Sequence, residues 1–200
     1  MLKSSYISLV TRPEVMPTIG LALVASRALE PYGFDHTQHL GDGHITLIYG
    51  HLPGIGLGTF YAGIRSKYPT PVEHWDFIWN GSEPLRIVAI ERGFDGRTLI
   101  ATLESERVGK VMDELYADAA FCRGHPEYAG LWKLDDPLWG RRTLHLTLAK
   151  GLDLSRMESV PGLEALVGME VRTRAMEERV KFADDRGVEH TFVVRQPSHA

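Results

Sequence analysis

Apolar and polar residues alternate with period two in several short stretches of the chain, and fall at helical spacing in others. Tyr6-Ile7-Ser8-Leu9-Val10 reads as a first strand, ended by Arg12-Pro13. A helix is predicted from near Pro17 through Leu21, Leu23, Val24 and Leu29, with Gly33 as its stop. A polar loop over Asp35–Gly43 leads to a strand that closes at Gly50 and Pro53. The glycines at 54, 56 and 58 weaken helix in the next stretch. With Thr at position 59 they do not complete the dinucleotide-binding pattern G-x-G-x-x-G, so they read as a loop and a poorly capped helix start.

Trp75–Trp79, Leu85–Ile90 and Thr98–Leu103 are predicted strands, the last two joined by the turn Arg92-Gly93-Phe94-Asp95-Gly96. Ser105-Glu106 opens a helix with Val108, Val111, Met112, Leu115, Tyr116 and Ala119 on one stripe. Phe121–Arg142 is a long connection rich in Gly, Pro and aromatics, a length usually tied to function or mobility. A further strand follows, then a short helix from Pro161 to Gly168. Closing strands are expected at Glu170–Arg174, Arg179–Ala183 and His190–Val194. Hairpins mixed with a few helices indicate an α+β fold of mainly antiparallel sheets, and no linker divides residues 1–200 into independent domains.

Two of these strands repeat one pattern. Gly43-His44-Ile45-Thr46-Leu47 and Leu144-His145-Leu146-Thr147-Leu148 each read His, apolar, Thr, apolar, and each segment ends in a glycine, Gly50 or Gly151. On a strand, His and Thr two residues apart share one face while the apolar residues face the other way. The doublet therefore describes two imidazoles and two hydroxyls converging on one site. Two histidines facing a phosphodiester form an acid–base pair. The neutral ring takes a proton from the attacking hydroxyl or water, and the protonated ring gives one to the leaving oxygen. The threonine hydroxyls can donate to non-bridging phosphate oxygens as negative charge builds there.

This doublet resembles the signature of the two-histidine (2H) phosphoesterase superfamily, His-x-Thr/Ser followed by an apolar residue, twice per chain. The resemblance implies a bilobal fold: two pseudo-symmetric antiparallel sheets around a central groove, with helices packed outside. It also implies His44, Thr46, His145 and Thr147 as the catalytic quartet, with no cofactor and no metal. Members cut RNA-type phosphodiesters. Some open 2′,3′-cyclic phosphates at RNA ends or in small products of tRNA splicing, others degrade cyclic oligonucleotide signals, and a few only bind nucleotides. The activity implied here is hydrolysis of an RNA-type phosphodiester in a small cyclic nucleotide.

Composition narrows the partners. A formal net charge of −4 argues against duplex DNA, which calls for a basic stripe, and leaves a small nucleotide or an RNA end. Tyr128 and Trp132, with Tyr6, are candidates for stacking a base, and Arg142 for steadying phosphate beside Arg141, Lys133 and Lys150. Lys150 falls on the opposite strand parity from His145 and Thr147, so it reaches the groove only from the strand end. The single cysteine, Cys122, excludes an internal disulfide framework and a Cys-based zinc cluster. The most apolar run, Ile19–Ala25, is short and has the pattern of a buried helix. A cytoplasmic monomer that does not engage membranes is the expectation. Two alternatives stay open: a nucleotide-binding module of the same fold without turnover, and a metal-dependent hydrolase built on the His36, His39 and His44 loop with Asp35 and Asp42.

Overall fold

The computed structural model describes residues 2–50, 84–93, 95–113, 143–157, 162–183 and 186–194. The glycine-rich stretch 54–68, the strand expected at Trp75–Trp79, and the long connection with Tyr128, Trp132 and Arg142 lie outside them. So does the side chain of Tyr6.

Among the described residues eight strands form two four-stranded sheets in which all neighbours run antiparallel. The first sheet holds β1 (Leu2–Thr11), β2 (His44–Gly50), β7 (Thr173–Ala183) and β8 (Glu189–Val194), in the order β2-β1-β7-β8. The second holds β3 (Leu85–Arg92), β4 (Thr98–Glu104), β5 (His145–Lys150) and β6 (Glu170–Val171), in the order β5-β4-β3-β6. Among the described residues each His-x-Thr strand is the edge strand of its own sheet, and β2 and β5 approach one another. The expected bilobal α+β architecture is the one observed.

Alternation along the strands sets the two faces. Ile45 and Leu47 of β2, Leu9 of β1 and Met176 of β7 are buried on one side of the first sheet. Leu146 and Leu148 of β5, Leu99 and Ala101 of β4 and Ile87 of β3 do the same in the second, and all of them join a single core. Fully burying a Leu or Ile side chain is worth about 1.5–3 kcal/mol, so these positions pin the register of both motif strands. Helix α1 (Val15–Ser26) lays Val15, Met16, Ile19 and Leu23 into the same core.

Both motif strands also carry the same irregularity. Thr46 pairs with Ser8 and Ile48 with Ile7, so Leu47 is the extra residue of a bulge. Thr147 pairs with Ile100 and Ala149 with Leu99, which leaves Leu148 in the corresponding place. A bulge immediately after the threonine bends and twists each strand where its His and Thr must be aimed.

Four expectations need correction. Helix α1 ends at Ser26, well before Gly33, because Arg27 is left-handed at φ 56° and a longer helix would take Pro31 into its interior. Gly33 instead closes a 3₁₀ turn, Glu30–Tyr32. The run Ile19–Ala25 is not buried all round, since Leu21 (72%) and Val24 (50%) face outward. Between Gly162 and Gly168, both at positive φ, there is a single 3₁₀ turn, Glu164–Leu166, in place of the short helix. Finally, β7 is one strand of eleven residues where two separated strands were expected, and β6 belongs to the other sheet. The polar run Glu177-Glu178-Arg179 hides that strand in the sequence, yet β1 supplies it with partners along nearly its whole length.

The hairpin of β3 and β4 forms as expected. Asp95 holds its turn by accepting from the N–H groups of Arg97 and Thr98, at 2.9 and 3.0 Å. The helix after Ser105 is present over 106–113, with the Ser105 hydroxyl accepting from the Val108 N–H at 3.3 Å and Val108, Val111 and Met112 buried. Among the described residues no helix is long and apolar enough to cross a membrane.

Candidate active site

The strand registers place the polar motif positions on the faces opposite the core. In the first sheet His44 lies opposite Val10 and Thr46 opposite Ser8, while Ser8 and Tyr6 face Glu177 and Arg179 on β7. His44, Thr46, Glu177 and Arg179 therefore share a face. In the second sheet His145 lies opposite Thr102 and Thr147 opposite Ile100; Ala89 and Glu91 of β3 continue that face. His44, Thr46, His145 and Thr147 are all half-buried, so each keeps some contact with solvent.

The loop before His44 ties the two sheets together. Leu40 forms an isolated antiparallel bridge with Ala149, and the Gly41 N–H donates to the Leu148 carbonyl at 3.0 Å. The residues leading into one motif strand thus run along the side of the other that no described strand pairs, and satisfy part of it. A Cβ on Gly41 would sit 2.8 Å from the Thr147 carbonyl carbon and closer still to its oxygen, so only glycine allows this approach. Gly43, two residues on, is left-handed at φ +73° and gives its carbonyl to the Thr11 N–H at 2.8 Å. Between these glycines stands Asp42.

Each histidine finds its Nδ1 partner two residues earlier. Nδ1 of His44 is in direct contact with Oδ1 of Asp42. Nδ1 of His145 lies 3.2 Å from the Thr143 carbonyl oxygen and donates to it. In the neutral ring, a proton fixed on Nδ1 leaves Nε2 with its lone pair, and a protonated ring presents Nε2–H instead. In each ring Nε2 is thus the nitrogen suited to exchange a proton.

Arg179 stands behind Asp42, with Nη1 3.5 Å from Oδ2 and Nε 3.9 Å from Oε2 of the buried Glu177. Burial pushes the Asp42 carboxyl up. The His44 hydrogen bond, together with the positive charges of His44, Lys150 and Arg179, outweighs it and holds the group at about 2. Asp42 is thus an anion across the physiological range. Lys150 is exposed, as its strand parity requires, and acts on Asp42 from the strand end. In the second sheet the Thr102 hydroxyl lies 3.2 Å from Oε2 of Glu91, on the strand beyond His145.

The histidines of the loop do not gather around His44. His36 and His39 form α2 (His36–His39), where Nδ1 of His39 accepts the Asp35 N–H at 2.9 Å and so cannot serve as a ligand without breaking the turn. Among the described residues no group of three or more His, Cys, Asp or Glu is placed to hold a metal ion. Sequence reasoning offered Asp42 only as a ligand of the alternative metal site, and did not offer Arg179 at all. The available signal for Asp42 was its position in Gly-Asp-Gly-His, an acidic residue held between two glycines. Arg179 had none, because only the β1–β7 register brings it to the site.

No family model matches the sequence, and no curated protein matches it. Solved structures do. TT0787 of Thermus thermophilus superimposes with a TM-score of 0.55 at 15% identity, over 96% of this chain and 95% of its own. E. coli LigT complexed with 3′-AMP superimposes with a TM-score of 0.54 at 13% identity, over 98% and 97%. At such identities the likeness is one of fold. The chain has the bilobal two-sheet fold of these proteins.

Proposed function

We propose that this protein is a phosphodiesterase that hydrolyses an RNA-type phosphodiester in a small cyclic nucleotide, with His44 and His145 as its acid–base pair. The observation that carries the reading is the matched construction of the two motifs. Each is an edge strand with His and Thr off the core face, a bulge after the Thr, and an Nδ1 acceptor two residues before the His. Core packing alone gives no reason for both histidines to be held through Nδ1 in this way.

In the reaction, one histidine takes a proton from water as its oxygen attacks phosphorus. The bond from phosphorus to a ribose oxygen breaks, and the other histidine gives its proton to that oxygen. The net change is addition of one water, and proton exchange with solvent resets both rings. Each positioned proton transfer is typically worth ~100 to ~10,000-fold. Thr46 and Thr147 donate to the non-bridging oxygens and stabilise the added charge. These steps need only side chains of this chain. Stacking of the base on Trp132, Tyr128 or Tyr6 and phosphate contact from Arg142 belong to the same reading.

The complex of E. coli LigT with 3′-AMP supports a small nucleotide as the ligand class for this fold. A nucleoside 3′-phosphate is what remains when a 2′,3′-cyclic phosphate opens at its 2′ oxygen. The test is a panel of 2′,3′-cyclic mononucleotides, RNA with cyclic ends and 3′,5′-linked cyclic di- and trinucleotides, with products weighed by mass spectrometry. At least one should gain a single water in the presence of EDTA. Binding across the panel without any product would instead make the chain a nucleotide-binding module.

A further inference from the structure

A cavity of about 500 Å³ lies at the end of β4, where the chain leaves the second sheet for the helix after Ser105. Thr102, Glu104, Ser105 and Thr143 line it, together with the buried Leu144 and Met112. It adjoins the second motif. Thr102 lies opposite His145 in the β4–β5 register, and the Thr143 carbonyl is the one that accepts from His145 Nδ1. Glu104 shares the face of Thr102, about 7 Å further along the strand. We propose that this cavity is a base-recognition subsite in which the Glu104 carboxylate selects guanine. The proposal rests on the phosphodiesterase reading and names the nucleoside that its substrate carries.

Size and position suit a nucleoside. Pockets for small ligands hold about 300–1,000 Å³. One nucleoside bridges the distance from Glu104 to His145, so a base seated at the carboxylate leaves its phosphate at the histidine.

The lining decides which base. Among the described residues no cation pairs with Glu104. Lys110 is held by Glu106 at 2.8 Å, and Arg86, opposite Glu104 on β3, turns its guanidinium toward Gly168. The Glu104 end of the cavity therefore disfavours phosphate and favours N–H donors. A carboxylate presents two acceptor oxygens and no donor, and its match is an edge with two adjacent N–H groups. Guanine has that edge, N1–H beside the N2 amino group. Adenine and cytosine each set a ring-nitrogen lone pair beside the amino group, and uracil flanks its one N–H with two carbonyls. Each of these three brings a lone pair against a carboxylate oxygen. Hydrogen bonds to an ionised group are roughly twice as strong as neutral ones, and a site built for them rejects ligands that leave its polar groups unpaired.

The test compares bases. Wild type and Glu104→Gln would be assayed on the 2′,3′-cyclic phosphates of guanosine, inosine, adenosine, cytidine and uridine. Binding of the corresponding nucleoside 3′-phosphates would be measured on the same proteins by calorimetry. If only cyclic di- or trinucleotides are cleaved, their guanine and adenine forms replace the mononucleotides. Wild type should favour guanosine over adenosine, cytidine and uridine by at least ~10-fold in kcat/KM. Inosine, which keeps N1–H and lacks the N2 amino group, should fall between. Glutamine keeps the side-chain size and turns one acceptor into a donor. Glu104→Gln should therefore lose at least ~10-fold on guanosine, mainly through KM, and its guanosine-to-adenosine ratio should fall toward one. Misfolding lowers both rates alike and leaves that ratio unchanged.

Turnover without a guanosine preference, or the same preference in Glu104→Gln, would overturn the subsite and leave the phosphodiesterase reading standing. Guanosine-selective binding that Glu104→Gln abolishes, with no turnover of any substrate, would support the subsite and refute hydrolysis. Absence of both selective binding and turnover would refute both.

Discussion

Replacing Gly41 by alanine places a methyl group 2.8 Å from the Thr147 carbonyl carbon and inside the contact distance of its oxygen. Ordinary carbon contacts begin near 3.4 Å, and the obstacle is backbone of the second motif strand, so no rotamer change relieves it. The Leu40–Asp42 segment or β5 must yield by the better part of an ångström. Overpacking of this kind costs about 1–3 kcal/mol. Losing the Gly41 N–H bond to the Leu148 carbonyl adds about 1 kcal/mol. For a domain of this size each kcal/mol lowers Tm by roughly 2–4 °C, so a fall of about 5–15 °C is expected. The same shift moves Asp42 and His44 relative to Thr147. Misplacement by about 1 Å can cost ~100-fold in rate, and kcat/KM on the best cyclic substrate should drop by that order even well below Tm. Gly20→Ala in α1 is the matched control: its Cβ would meet the methyls of Leu40 at an ordinary 3.4 Å, and alanine in a helix gains about 0.5–1 kcal/mol. Thermal unfolding and steady-state kinetics on both variants decide the matter. A Gly41→Ala protein with wild-type Tm and turnover would show that the loop does not hold the two motifs in register.

Two further outcomes follow from the same geometry. Asp42 is held at about 2 against an ordinary 3.8, so the stability it contributes is present above pH 3.8 and is lost as pH falls toward 2. Such a shift corresponds to roughly 2 kcal/mol for an enclosed pair. With the side chain 42% exposed, solvent screening reduces it to about 1 kcal/mol. Urea unfolding of wild type and Asp42→Asn should therefore differ by a constant amount above pH 5 and converge between about pH 4 and pH 2; parallel curves down to pH 2 would contradict the pairing. The cyclic panel should yield a product heavier by one water with EDTA present.

Much of the site was legible because burial and alternation act through the same residues. Ile45, Leu47, Leu146 and Leu148 fix which way the motif strands face, and that decides where His44, Thr46, His145 and Thr147 point. The hairpin at Asp95 and the helix opening at Ser105 were readable for similarly local reasons, turn chemistry and a capping hydroxyl. What escaped depends on contacts distant in sequence or on backbone that breaks parity. Asp42 lies in the loop before β2, with the left-handed Gly43 between it and His44, so the alternation read along the strand did not extend to it. Arg179 reaches Asp42 only through the β1–β7 register, and its polar neighbours disguised β7 itself. The three loop histidines looked like ligands by proximity in sequence, yet the turn of α2 uses His39 to hold its own backbone.

The central claim is that His44 and His145 act as one catalytic pair, and a double-mutant cycle reads it most directly. His44→Ala, His145→Ala and the double variant would be measured with EDTA present on the cyclic nucleotide that wild type hydrolyses, after thermal unfolding shows each to be folded. The account predicts a loss of at least ~100-fold in kcat/KM for each single variant and a double variant much less impaired than the product of the two. Near-wild-type turnover by either single variant would contradict it.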